Sequence, residues 1–142
     1  MLKIKPLSES GKPAASSVDS STAALANEFM NASVSFHKLH LKVNGTGSYS
    51  AHKTLNELYD AMHGHADDLV EGYQGACEKL LSIVDTTPRK LSTVSDAIAY
   101  IKDLYKQITD LQDIMPYSEI VNDLDAAKST LNSAKYKLNF LK

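Results

Sequence analysis

All five histidines of the chain, His37, His40, His52, His63 and His65, fall within the stretch from His37 to Glu71, and five carboxylates, Glu57, Asp60, Asp67, Asp68 and Glu71, share the stretch with them. Imidazole nitrogen and carboxylate oxygen together form the donor set that transition metals such as iron or zinc prefer. A polar helix face that merely happens to use histidine would give the same composition, so spacing has to separate the two readings. The sequence offers no Gly-rich phosphate loop and no Ser/His/Asp or Cys/His nucleophile pattern, which leaves no case for a hydrolase.

These residues must be positioned by helices. Leu25, Phe29, Ala32, Phe36, Leu39 and Val43 recur at three- and four-residue steps, predicting a first helix from Ser20–Thr22 to about Val43, with its start capped by Ser or Thr. Met30, Val34 and Leu41 form a smaller apolar stripe on its opposite side. A helix with two apolar sides is either deeply buried or lies between its own core and a partner. Asn44-Gly-Thr-Gly47 breaks the pattern as a loop.

The second helix is expected from Ser48–Ser50 to at least Tyr73, with Leu55, Leu58, Met62, Leu69 and Tyr73 inward. Projected at roughly 100° per residue, His52, Asn56, Asp60, His63, Asp67 and Glu71 fall in one arc about 100° wide, turned away from the apolar face. Gly72 and Gly75 weaken the helix after Glu71, and residues 76–84 read as a short apolar helical segment. A third helix uses Val94, Ile98, Ile101, Leu104, Tyr105, Ile108 and Leu111 and stops at or before Pro116. A fourth is expected from Tyr117 to Leu141, with Ile120, Leu124, Ala127, Leu131, Ala134, Leu138 and Leu141 inward. The fold class is therefore all-α, a four-helix bundle over residues 21–142 behind an N-terminal arm at 1–20 that reads as flexible. If 76–84 continues the second helix, the bundle is up-down-up-down. If it does not, a short helix plus a loop reaching roughly 40 Å can carry the chain along the bundle. Both topologies fit.

Helix geometry then limits the chemistry. His52 and Asp67 lie about 22 Å apart along one helix and cannot touch the same ion within one subunit. Asp67 and Glu71, at i and i+4, can act together. His40 and His52 flank a tight loop and can converge. The chain thus carries a His pair and a carboxylate pair at different heights. A second copy packed antiparallel about a two-fold axis would join the halves and build two equivalent sites at once.

The remaining residues of the window carry weaker expectations. Asn56, Asp60 and His63 are secondary metal candidates, His65 and Asp68 are helix-face groups, and His37 is a packing or surface residue. Tyr49, Tyr59 and Tyr73 read as packing residues that could also relay electrons near an iron centre, and Met30, Met62 and Met115 as core or interface residues.

Bulk properties are those of an ordinary globular chain. With 142 residues and a net charge of −2 it is one domain with no general attraction to nucleic acid or anionic membrane. A lone Cys77 excludes an intrachain disulfide and fits a reducing compartment. The N-terminus has no apolar run behind its lysines, so no signal peptide is expected, and no run approaches membrane-spanning length. Cytoplasmic location follows as the expectation.

His40-Leu-Lys-Val-Asn-Gly45, then His52, then His65-Ala-Asp67-Asp68-Leu-Val-Glu71 resembles the motif of the Dps family, the ferritin-like mini-ferritins of starved bacteria. The intervals between His40, His52, Asp67 and Glu71 all match, and helix layout extends the likeness over residues 20–142. The resemblance implies a ferritin-like bundle whose crossover between the second and third helices holds a short helix. It also implies an iron-oxidising centre at a two-fold interface, with His40, His52, Asp67 and Glu71 as metal ligands and catalytic residues. Twelve such subunits would form a hollow shell that consumes peroxide under oxidative stress and stores ferric iron; zinc or another divalent metal could take the same site. Asn56 stands where the family commonly has an Asp, and Leu41 where it has a Trp. The arm, with Lys3, Lys5 and Lys12, lacks the lysine density of DNA-binding members, so DNA binding is expected to be weak or lacking. The short chain also resembles compact Dps-like proteins encoded by some bacteriophages. The alternative is accordingly a non-catalytic structural shell or virion-associated protein with a degenerate metal site, located in a phage particle.

Overall fold

The computed structural model describes residues 15–142, and these form four helices with no strand among them. Helix α1 spans Ala15–His40, α2 Ser48–Cys77, α3 Val94–Ile114 and α4 Ser118–Phe140. Of the expected arm at 1–20, residues 1–14 lie outside the described residues, while the rest is helix. Tertiary contacts extend α1 back into that stretch: Val18 is buried, and Asp19 accepts a hydrogen bond from the Tyr73 hydroxyl at 2.6 Å and pairs with Lys79.

Nearly every position expected inward is inward. Leu25, Phe29, Phe36 and Leu39 of α1 meet Leu55, Leu58, Met62 and Leu69 of α2, and Ile101, Leu104, Ile108, Ile120, Leu124 and Leu131 complete the core. Tyr100, absent from the expected face, is fully buried: its ring packs on Phe36 at 5.4 Å and under the Arg89 guanidinium, and its hydroxyl donates to the Glu28 carboxylate. Leu141 is 44% exposed, just past the end of α4. Val34 and Leu41, on the second stripe of α1, are exposed.

The order of contacts decides the topology. Ser33 of α1 bonds the Tyr59 carbonyl of α2, and from α2 to α4 the pairs Glu57–Lys137 and His65–Thr130 run in opposite sequence directions. Crossover contacts run parallel to α1: Asn27 and Asn31 bond Thr86, Ser35 bonds the Arg89 carbonyl, and Lys42 bonds the Leu91 carbonyl. The chain therefore returns along the whole bundle between α2 and α3, and up-down-up-down is excluded.

The expected short helix in this crossover is not there. Helix α2 continues through Gly72 and Gly75 to Cys77 and stops at Glu78, whose φ of 57° places it in the left-handed region. The non-helical backbone that follows is held by α1 side chains and by Gln74, which accepts from the Leu81 amide at 2.8 Å. Leu80, Leu81, Ile83 and Val84 fit helical spacing, yet Leu80 and Val84 are exposed while Leu81 and Ile83 are half-buried, the alternation of an extended chain. Gly72 does not end its helix; it admits Ile120, whose Cδ1 would lie 2.9 Å from a Cβ at that position.

Helix α3 opens with a capping box: Thr93 accepts from the Asp96 amide, and the Asp96 carboxylate accepts from the Thr93 amide. The backbone amides of Ser92 and Thr93, both donating to the Asp96 carboxylate, hold its carboxyl below the usual range.

Candidate metal centre

The centre is built where α1 ends. Its last carbonyls have no helical successors to bond. Leu41 N–H turns back to the Lys38 carbonyl and Val43 N–H to Leu39, so the carbonyls of His37 and His40 remain free. Two imidazoles satisfy them. His40 Nδ1 lies 2.8 Å from the His37 carbonyl, and His52 Nδ1 lies 2.8 Å from the His40 carbonyl. A carbonyl only accepts, so each Nδ1 carries the proton and donates. In the neutral ring the lone pair then sits on Nε2. Gly45 and Gly47, with φ of 92° and 83°, make the tight loop that returns α2 against α1.

The His40 and His52 rings are stacked, with centroids 4.3 Å apart and planes 20° from parallel. Because the rings are nearly parallel, their in-plane Nε2 lone pairs lie in nearly parallel planes, and binding one ion through both requires one ring to turn. His40 is buried and His52 half-buried. Beside them, His37 stacks on Tyr59 at 4.1 Å, and Tyr59 lies 5.1 Å from the His40 ring. The place of Tyr59 was legible: seven residues beyond His52, it lies two turns along the same face.

Asp67 and Glu71 are exposed near the other end of α2, and the chain does not bring them to the histidines. No group of three His, Cys, Asp or Glu side chains suited to a metal ion forms among the described residues of one subunit. Asn56 is half-buried, Asp60 and His63 are exposed, and all three share the outer face of α2 with His52. Glu57 pairs with Lys137 of α4 and Asp68 is exposed. A cleft of about 420 Å³ lies at the bundle end, lined by Lys42, Asn44, Ser95 and Asn139 among others, and does not include the histidine pair.

His65 faces the α2–α4 seam, where its Nε2 is 2.9 Å from the Thr130 hydroxyl. Burial lowers its pKa from the ordinary 6.5, against the raising effect of Asp68 and Asp123. A depressed pKa means that the unfolded chain binds the proton more readily. The stability that His65 contributes is therefore full above about pH 6.5 and is lost as pH falls through the depressed folded value. His65→Gln is expected to flatten the fall of thermal midpoint between neutral and mildly acid pH relative to the unmodified protein; an unchanged slope would place the acid sensitivity elsewhere.

The fold and site define an all-α protein: four helices, one long crossover and a histidine pair at the mouth of the first hairpin. The chain belongs to a family described as a family of unknown function (DUF5856), whose model matches residues 40–138. The matched region contains His40, His52, Asp67 and Glu71 together. Neither the curated proteins nor the solved structures contain a match to the chain. No helix among the described residues is long and apolar enough to cross a membrane.

Proposed function

We propose that this chain is a ferritin-like, Dps-type protein that binds and oxidises Fe(II) at sites shared between subunits. His40 and His52 of one subunit would bind the metal with Asp67 and Glu71 of its two-fold mate, and a hollow assembly, a dodecamer by resemblance, would store the ferric product. Peroxide is the oxidant this reading expects. The single observation that carries it is the pair of stacked imidazoles, each with its Nδ1–H spent on a carbonyl of the α1 terminus. Backbone partners of this kind fix the tautomer and orientation of metal-ligating histidines. The long crossover, which characterises ferritin-like bundles, adds support. So do Val34 and Leu41, apolar side chains left 38% and 70% exposed, which a second copy would cover.

The test is an anaerobic Fe(II) titration followed by peroxide addition, with mass by light scattering on the same sample. Saturable binding and rapid oxidation by a large assembly are expected. An intact oligomer that neither binds iron nor oxidises it above the buffer rate would overturn the reading. That outcome would favour the second one, a structural shell or virion-associated protein, to which the neutral Asn56 already points. DNA compaction through the Lys3–Lys12 arm is the weakest reading; salt-sensitive gel retardation would be needed to support it.

A further inference from the structure

The two ends of the bundle differ in surface chemistry. At one end, the hairpin of α3 and α4 exposes Asp110, Asp113, Glu119, Asp123 and Asp125 around an exposed Pro116. At the other, α4 finishes with Tyr136 and Phe140, 55% and 73% exposed, with ring centroids 5.7 Å apart. No carboxylate side chain follows Asp125 in the sequence, and the charges at that end of α4 are Lys135, Lys137 and Lys142. Of these, Lys137 alone makes an ion pair among the described residues, to Glu57. Helix stability explains only part of this order. Acidic groups near the start of α4 and lysines near its end both favour its macrodipole. Asp110 and Asp113 instead lie near the end of α3, where negative charge opposes the dipole and the last turn holds no basic residue. Lys106 pairs with Asp110, while Asp113 has no ion pair among the described residues. Tyr136 and Phe140 likewise leave aromatic surface in water on a helix whose core side is already filled by Ala127, Leu131, Ala134 and Leu138. The ends cannot neutralise each other within one copy. The 23 residues of α4 separate them by about 35 Å, several times the roughly 8 Å over which exposed charges act in physiological salt.

We propose that copies of this chain associate head to tail, the aromatic, lysine-flanked end of α4 in one copy docking on the acidic α3–α4 turn of the next. Tyr136 and Phe140 cover Pro116, while Lys135 and Lys142 face Asp113 and Glu119, which gives an apolar centre with a charge-complementary rim. The contact is heterologous, because each copy offers a different surface at each end. It closes into a ring or extends as a chain according to its rotation, and either way adds copies beyond a two-fold dimer. The inference does not rest on the iron-oxidising reading: neither surface includes His40, His52, Asp67 or Glu71.

The experiment is sedimentation velocity with light scattering on the whole protein over a range of concentrations, at low salt and at about 1 M salt, where the screening length shrinks to about 3 Å. At low salt the mass is expected to rise with concentration, and at high salt to fall to a floor that concentration does not change. Lys135→Glu with Lys142→Glu reverses one end, and Asp113→Lys with Glu119→Lys reverses the other. Each double variant alone is expected to stay at the floor at low salt, with circular dichroism showing that its helices persist. Mixed together they should regain the growth, since each reversed end then meets its complement on the other variant. Tyr136→Ser with Phe140→Ser, which changes no charge, should lose the growth as well. A mass of the unmodified protein that responds to neither salt nor concentration would overturn the proposal. So would reversed variants that associate like the unmodified protein, or a mixture of the two that stays at the floor.

Discussion

Subunits carrying His52→Ala and subunits carrying Glu71→Ala, each inactive alone, are expected to recover iron oxidation when co-assembled. On the shared-site reading, every site of each homodimer lacks one of its four ligands, His52 or Glu71. A mixed dimer pairs the intact histidines of one subunit with the intact carboxylates of the other and so restores one of its two sites, while the second site collects both defects. Each single variant should lose more Fe(II) affinity than the roughly 10–100-fold that follows removal of an outer-shell partner. The measurements are Fe(II) titration and peroxide-driven oxidation on purified homo- and hetero-assemblies, with light scattering showing that assembly persists. Complementation requires ligands from two chains, as expected when one α2 separates His52 from Asp67 by about 22 Å. Two inactive variants that stay inactive when mixed, although assembled together, would show that the halves do not meet.

Phe36→Ala is expected to give the largest loss of stability among the substitutions considered. Phe36 is fully buried, packs on Tyr100, and lies one turn before His40 on α1. Removing a buried phenyl ring costs about 3–5 kcal/mol, as transfer free energy plus the cavity left behind. That is a large share of the roughly 5–15 kcal/mol by which a domain is stable. Denaturant unfolding at matched protein concentration reads the loss, since assembly otherwise shifts the midpoint. Phe36→Leu, which keeps more of the volume, should cost less. The cavity would also loosen the last turn of α1, whose His37 and His40 carbonyls orient the imidazoles. Weaker Fe(II) binding should therefore accompany the lost stability in Phe36→Ala, and near-native binding would show that the histidine pair is oriented independently of the core beneath it.

The helical core was legible because its signal is local. Phe29, Phe36, Leu58, Met62, Leu104 and Leu131 repeat at the pitch of a helix, and each is buried where that pitch places it. The convergence of His40 and His52 was legible for the same reason: Asn44-Gly-Thr-Gly47 forces a tight return, so the residues flanking it must meet. Residues 78–93 were not legible in this way. Leu80, Leu81, Ile83 and Val84 satisfy a helical pattern, but the Thr86 hydroxyl and the carbonyls of Arg89 and Leu91 are bonded by Asn27, Asn31, Ser35 and Lys42, polar residues far away in the chain. Tyr100 and Glu28 escaped for a related reason, since a buried phenol needs a hydrogen-bond partner, and here that partner is a carboxylate on another helix.

The sequence by itself determined that the protein is a bundle of four helices and that His52, Asn56, Asp60, His63, Asp67 and Glu71 share one face of the second helix. Periodicity and turn chemistry act between residues close in the chain, and one chain suffices to show them. Only the tertiary structure decided that the connection after α2 runs extended along α1, and that both imidazoles spend Nδ1–H on the end of that helix. These outcomes depend on hydrogen bonds between groups distant in sequence, whose partners become known only when the helices are packed.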